Sequence, residues 1–141
     1  CDFAPFAALA DMPLAMTAHV VYTAFDRTAP ATTSAAVIRE VIRGSIGFDG
    51  LLISDDLCMR ALTGSPGERA RAALAAGCDV VLHCNGDLAE MEAIAGACPP
   101  LPADGGRRLA RAQVMRRVPE PLDQEGAGVR LAALLGGTVA A

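Results

Sequence analysis

Two adjacent carboxylates, Asp55 and Asp56, follow the apolar run Leu51-Leu52-Ile53 and Ser54. The run has no alternation, the pattern of a strand covered on both faces in a parallel sheet. Ligands of α/β folds bind at the carboxyl ends of such strands, so a carboxylate placed there is a candidate for chemistry. Successive side chains on an extended chain point to opposite sides. The two carboxylates are therefore expected to do different jobs, unlike a proton-sharing dyad. The structural alternative is a helix N-cap or a turn, both of which favour Asp. One carboxylate can fill that role, and the other still needs a reason to be there.

Two further residue types, histidine and cysteine, bear on chemistry. His19 stands near the polar end of the apolar run Leu14–Tyr22. His83 and Cys84 are neighbours in the run Cys78–Asn85. That adjacency suggests metal, but neighbours on a strand point apart and no second ligand pair is spaced to help. No metal site or cofactor is assigned on this basis. The five cysteines, Cys1, Cys58, Cys78, Cys84 and Cys98, include no Cys-x-x-Cys pair. They read as a buried, reduced set in a cytosolic protein.

The elements that must position these residues alternate along the chain. After a helix end and loop over 1–15, strands are expected near 14–19, 51–54 and 79–83. A helix capped by Thr33 or Ser34 runs to about Arg43, with Ala36, Val37, Val41 and Ile42 on one face and Gly44 ending it. Ser65-Pro66-Gly67-Glu68 starts the next helix: a cap, a proline at the first helical position and a glutamate three residues after the cap. Gly77 stops it. Asp87 to about Gly96 and residues 104–118 give two more helices, and a weak one lies around Val129–Leu135. Strands alternating with helices imply right-handed βαβ units and a parallel sheet. Three strands leave both sheet edges open, so either a partner covers them or the rest of a larger sheet is missing.

Composition narrows the class. The chain has 141 residues, 52% of them hydrophobic, and a net charge of −4. It is long enough for one domain with a core. The charge and the scarcity of aromatics argue against nucleic acid. No apolar run approaches the roughly 20 residues of a membrane span. All twelve basic residues are arginine, which removes lysine Schiff bases and the P-loop lysine.

Three segments together resemble one family. They are Met16-Thr17-Ala18-His19-Val20, then Gly47 through Met59 with its Ser54-Asp55-Asp56-Leu57-Cys58-Met59 end, and Ala75-Ala76-Gly77-Cys78-Asp79-Val80-Val81-Leu82. The chain is similar over 1–118 to the carboxyl-terminal part of the barrel of glycoside hydrolase family 3. Within it, the match is to the bacterial cytoplasmic β-N-acetylglucosaminidases (β-hexosaminidases) of peptidoglycan recycling. The resemblance implies a partial TIM (β/α)₈ barrel of about the last three βα units plus C-terminal helices, with 119–141 as a tail. It also implies that Asp55 is the nucleophile of a retaining mechanism and Asp56 a cap or supporting group. The implied substrates are N-acetylglucosamine-containing muropeptides or chitooligosaccharides. The family's proton donor is a His paired with Asp on a mobile loop, in a Lys-His-Phe-Pro-Gly-His-Gly-Asp-like segment. Neither His19 nor His83 has such a setting. The chain begins with Cys1, and it is expected to be a fragment carrying the nucleophile without the acid/base loop. His19 is expected either to line the substrate site or, as a structural residue, to be held by backbone groups.

Two rivals come from other classes. A phosphorelay receiver also places an acid pair after an apolar strand, but it needs a lysine that this chain lacks. A non-catalytic α/β module would keep the βα pattern without any acid or base.

Overall fold

The computed structural model describes residues 2–137. A short helix α1 (Ala4–Ala7) leads into three parallel strands, β1 (Leu14–Met16), β2 (Leu51–Asp56) and β3 (Val80–Leu82), in sheet order β1-β2-β3. A 3₁₀ turn (Ala31–Thr33) and a π-helix (Val37–Ser45) lie between β1 and β2. Helix α2 (Pro66–Ala76) connects β2 to β3. Helices α3 (Leu88–Ala97), α4 (Ala103–Val114) and α5 (Gln124–Leu134) follow. This α/β order matches the expected one and is consistent with part of a barrel.

Leu14, Ala15 and Met16 pair with Leu51, Leu52 and Ile53. On the other side of β2, Ile53 pairs with Val80 and Asp56 with Leu82. Between these two pairings β2 advances three residues while β3 advances two. The ladder is therefore irregular where Ser54 and Asp55 stand, and such irregularities re-aim side chains near sites.

The core explains which faces meet. Leu52 is fully buried and packs with Ile38, Phe48, Ala73, Ala76 and Cys78. The alanines of α2 let its backbone approach the sheet closely. Leu57, Leu62, Ala70 and Ile94 form a second cluster, which pins the segment after β2 against α2 and α3. The opposite sheet face is less covered. Leu51 is buried there, but Leu14 and Met16 are 48% and 54% exposed. An apolar cavity of about 320 Å³, lined by Phe6, Leu9, Leu14, Met16 and Phe25 among others, opens beside β1. Among the described residues, no helix is long and apolar enough to cross a membrane.

Local chemistry sets the element ends. Ser65 donates its N–H and its hydroxyl to Glu68 Oε2 at 2.8 and 2.7 Å, which opens α2. Gly77, at φ 119°, closes it in the left-handed region. Asp87 accepts Glu90 N–H at 3.0 Å and opens α3.

Several expected boundaries move. Strand β2 runs through Asp56, two residues past the expected end, while β1 stops at Met16, so His19 lies beyond the strand. The expected α-helix ending at Gly44 is a π-helix through Ser45, and the positive φ falls at Gly47 (76°). Ile46 N–H reaches Val41 O at 2.8 Å and the Ser45 hydroxyl reaches Glu40 O at 3.0 Å, five residues back in each case. Ile38 packs in the Leu52 cluster, and Val37 with Val41 packs in a separate cluster with Ala31. Helix α4 ends at Val114, not Val118, and Val114 and Met115 are exposed. The tail helix begins five residues earlier than expected, at Gln124 behind an Asp123 cap, whose carboxylate accepts Gly126 N–H at 3.0 Å.

One ionic cluster ties these elements together below the site. Asp79 is nearly buried and accepts Leu52 N–H at 2.9 Å, Arg43 at 2.8 Å and Arg108 at 2.9 Å. Arg43 also donates to the carbonyls of Phe48 and Gly50 and lies over the Phe48 ring at 5.2 Å. Arg108 and Arg111 both reach Asp49. This explains the Arg-rich face of α4, which sequence periodicity alone describes only as amphipathic.

Candidate active site

Every polar group of the Asp55 main chain is held. Asp55 N–H donates to Thr17 Oγ1 at 3.3 Å, and its carbonyl accepts the Ser54 hydroxyl at 2.8 Å. Ser54 is fully buried, and its oxygen also accepts Leu82 N–H at 3.0 Å. One hydroxyl thus closes the irregular step between β2 and β3. The Asp55 carboxylate, half-buried, accepts Asp56 N–H on Oδ1 at 2.8 Å. No hydrogen bond among the described residues engages the other carboxylate oxygen.

Asp56 is used differently. Its Oδ1 accepts Cys58 N–H at 3.0 Å and Cys84 N–H at 3.2 Å, joining the turns after β2 and β3. These bonds, that to the Cys58 amide foremost, hold its carboxyl below the ordinary aspartate range. The two carboxylates therefore have separate partners, one steadied as a side chain at the strand end and one fastening loops.

His19 completes a chain of hydrogen bonds around this peptide. Its Nε2 lies 2.9 Å from Asp56 O, and its Nδ1 lies 2.8 Å from Thr32 Oγ1. Thr32 Oγ1 is 2.8 Å from Thr17 Oγ1. A carbonyl can only accept, so Nε2 carries the proton and, in the neutral ring, Nδ1 accepts from Thr32. Thr32 then accepts from Thr17, which accepts from Asp55 N–H. The direction of the whole relay is fixed, from Asp56 C=O through His19, Thr32 and Thr17 back to Asp55 N–H. Both ring nitrogens of His19 are engaged by the protein, and a substrate contact through either would break one link.

Sequence reading singled out Asp55, Asp56 and His19, and the fold brings them together. It did not single out Thr17 as a partner or Thr32 at all. Thr32 sits in Ala31-Thr32-Thr33-Ser34, where its neighbours looked equally suited to capping. The reading of the cysteines as a buried set is corrected for the described ones. Cys78 alone is buried, Cys58 and Cys98 are half-buried, and Cys84 is exposed. Burial raises the Cys78 thiol to a pKa of about 11. Cys1 lies outside the described residues. Cys58 and His83, distant in sequence, are in contact at 3.0 Å (Sγ to Nδ1).

Residues 1–118 match the N-terminal domain of glycosyl hydrolase family 3. The chain belongs to that family. A β-hexosaminidase from Nitrosospira multiformis is 44% identical over 124 residues, which cover 85% of this chain and 34% of that protein. A β-hexosaminidase from Chromobacterium violaceum is 44% identical over 114 residues, covering 78% of this chain and 32% of that one. The crystal structure of NagZ from Neisseria gonorrhoeae, in complex with N-trifluoroacetyl-D-glucosamine, matches 99% of this chain and 41% of its own. That match has a TM-score of 0.67 at 32% identity. This member of family 3 thus spans about a third of the length of the curated relatives it matches.

Proposed function

We propose that this chain supplies the nucleophile-bearing segment of a retaining β-N-acetylhexosaminidase. Its substrates are terminal β-linked N-acetylglucosamine residues of muropeptides, or of chitooligosaccharides, in cytoplasmic cell-wall recycling. Asp55 attacks the anomeric carbon through its available carboxylate oxygen as the bond to the leaving oxygen breaks. The proton for that oxygen comes from an acid outside these 141 residues. Water, giving its proton back to that same group, then attacks the anomeric carbon of the glycosyl–Asp55 ester, and the carboxylate is released. Asp56, His19, Thr17 and Thr32 position the Asp55 peptide and do not touch the sugar.

The supporting observation is the grip on Asp55: N–H, C=O and Oδ1 are all held, at a strand end where the ladder is irregular. A nucleophile fixed in that way is already oriented for attack, and orientation is a large part of the barrier. The test uses a complete enzyme containing this chain and an aryl β-N-acetylglucosaminide. Asp55→Ala should lower kcat by about 10³-fold or more, since loss of a nucleophile leaves only residual catalysis. Asp56→Asn, which keeps an acceptor oxygen for the two amides, should retain most turnover. Equal losses in the two variants would contradict the division of roles.

A further inference from the structure

We propose that Asp56, Cys58 and His83 form a binding site for a thiophilic divalent cation of the Zn²⁺ class. One ligand atom from each lies within 4.8 Å of the other two, and all three residues are half-buried. Cys58 Sγ and His83 Nδ1 are 3.0 Å apart. In a tetrahedral Zn²⁺ site, bond lengths of about 2.3 Å to sulfur and 2.0–2.1 Å to nitrogen separate those atoms by roughly 3.5 Å. A small outward movement of the ring would admit the ion.

The surroundings are built as a metal site needs. A ligating His ordinarily gives its other ring nitrogen to a carboxylate, which fixes its orientation. Here His83 Nε2 faces Glu90 Oε2 at 3.6 Å, an ion-pair separation that must shorten to become that hydrogen bond, and the same oxygen is held by Asn85 Nδ2 at 2.8 Å. The His83 side chain is 8% exposed. The Asp56 carboxylate is oriented by the Cys58 and Cys84 amides, both on Oδ1, which leaves Oδ2 for the cation. The donor set is one sulfur, one imidazole nitrogen and one carboxylate oxygen. Thiolate and imidazole select Zn²⁺ over Mg²⁺ and Ca²⁺, which prefer all-oxygen shells. Three protein ligands leave a fourth position for water or an incoming group, the open form of such a site. Binding replaces the Cys58 S–H bond with a sulfur–metal bond and releases the proton to solvent.

The inference stands apart from the assignment of Asp55. The two are nonetheless adjacent, since Asp56 N–H holds Asp55 Oδ1 at 2.8 Å. A cation on Asp56 and the Asp55 carboxylate would share one peptide.

The test is titration of a reduced complete enzyme containing this chain with Co²⁺, followed by absorbance as a difference from its Cys58→Ser/His83→Val variant, then displacement by Zn²⁺. One equivalent should bind and produce a sulfur-to-cobalt charge-transfer band with the strong visible absorption of a tetrahedral ion. Mg²⁺ in large excess should not displace it. Cys58→Ser should abolish the charge-transfer band, and His83→Val should weaken binding at least tenfold. Glu90→Gln should weaken it about tenfold, the scale of outer-shell losses. Cys98→Ser should bind as the parent does. Asp56→Asn keeps an acceptor for the two amides and replaces the ligating oxygen with an amide nitrogen, so it should weaken binding, with Cys58→Ser and His83→Val as the deciding variants. A band that survives in the Cys58→Ser/His83→Val double variant would overturn the proposal. So would the absence of any sulfur–cobalt band at saturating Co²⁺, which would leave a plain Cys–His hydrogen bond.

Discussion

Replacing Thr32 with Val removes one hydroxyl, keeps the side-chain shape, and cuts the relay at its centre. Thr32 is fully buried and Thr17 is 5% exposed. Two bonds of 2.8 Å are lost, one to Thr17 and one to His19. The Thr17 hydroxyl loses its acceptor in a dry environment, and an orphaned buried group costs about 1–3 kcal/mol. His19 is half-buried, so water can reach Nδ1 and its share falls toward the low end. The sum is about 2–3 kcal/mol. At this chain length each kcal/mol lowers Tm by roughly 3–5 °C, so the expected drop is about 6–15 °C. The assay is thermal unfolding by circular dichroism at matched protein concentration. Matching matters because the exposed Leu14 and Met16 face is expected to self-associate, and association makes Tm concentration-dependent. Thr17→Val should act on the same relay and add an orphaned Asp55 amide, whose hydrogen exchange should accelerate. The double variant should be less destabilised than the sum of the singles, because both break one bond. Full additivity, or a Thr32→Val variant within about 0.5 kcal/mol of the parent, would refute the relay, as surface-like substitutions stay in that range.

Other outcomes follow from the packing and charge. Asp79→Ala leaves Arg43 and Arg108 without their shared partner and should cost about 3–5 kcal/mol, read as loss of soluble folded protein or a much lower denaturation midpoint. Asp49 and Asp56 carboxyls are held below their ordinary range, the first chiefly by Arg111 and the second by the Cys58 amide. Lowered folded-state values mean stability that is present above the unfolded pKa of about 4 and lost as pH falls through the folded values, so acid titration below about pH 4 should unfold the chain progressively. The exposed Leu14 and Met16 face and the cavity beside β1 should make the isolated chain self-associate, seen as concentration-dependent sedimentation. That isolated chain should also turn over aryl β-N-acetylglucosaminides negligibly, because the proposed mechanism draws its general acid from elsewhere, and such assistance is worth about 10² to 10⁴ in rate.

Much of the fold was legible because local signals and tertiary packing agree. Ser65, Pro66 and Glu68 mark the start of α2, Gly77 marks its end, and Leu51-Leu52-Ile53 marks a buried strand. The π-helix was not legible. Its apolar residues satisfy a 3.6-residue period equally well, and the wider winding shows only in hydrogen bonds that reach five residues back, such as Ile46 N–H to Val41 O. Helix α4 was overextended because Val114, Met115 and Val118 continue the apolar pattern, yet nothing covers them. At the site, the carboxylates announced themselves by chemistry and position. Their partners did not: Thr17 and Thr32 are 15 residues apart, and Cys58 and His83 are 25 apart. Hydroxyls and thiols carry too weak a local pattern to pair across such distances without the sheet register that aligns them.

The central claim is that Asp55 forms the covalent bond to the sugar. A complete enzyme containing this chain can be incubated with a mechanism-based fluorosugar analogue of N-acetylglucosamine, digested, and mapped by tandem mass spectrometry. One glycosyl adduct per chain is expected, on Asp55, formed as activity is lost and released as it returns. An adduct on Asp56, or inactivation with no adduct on this segment, would contradict it.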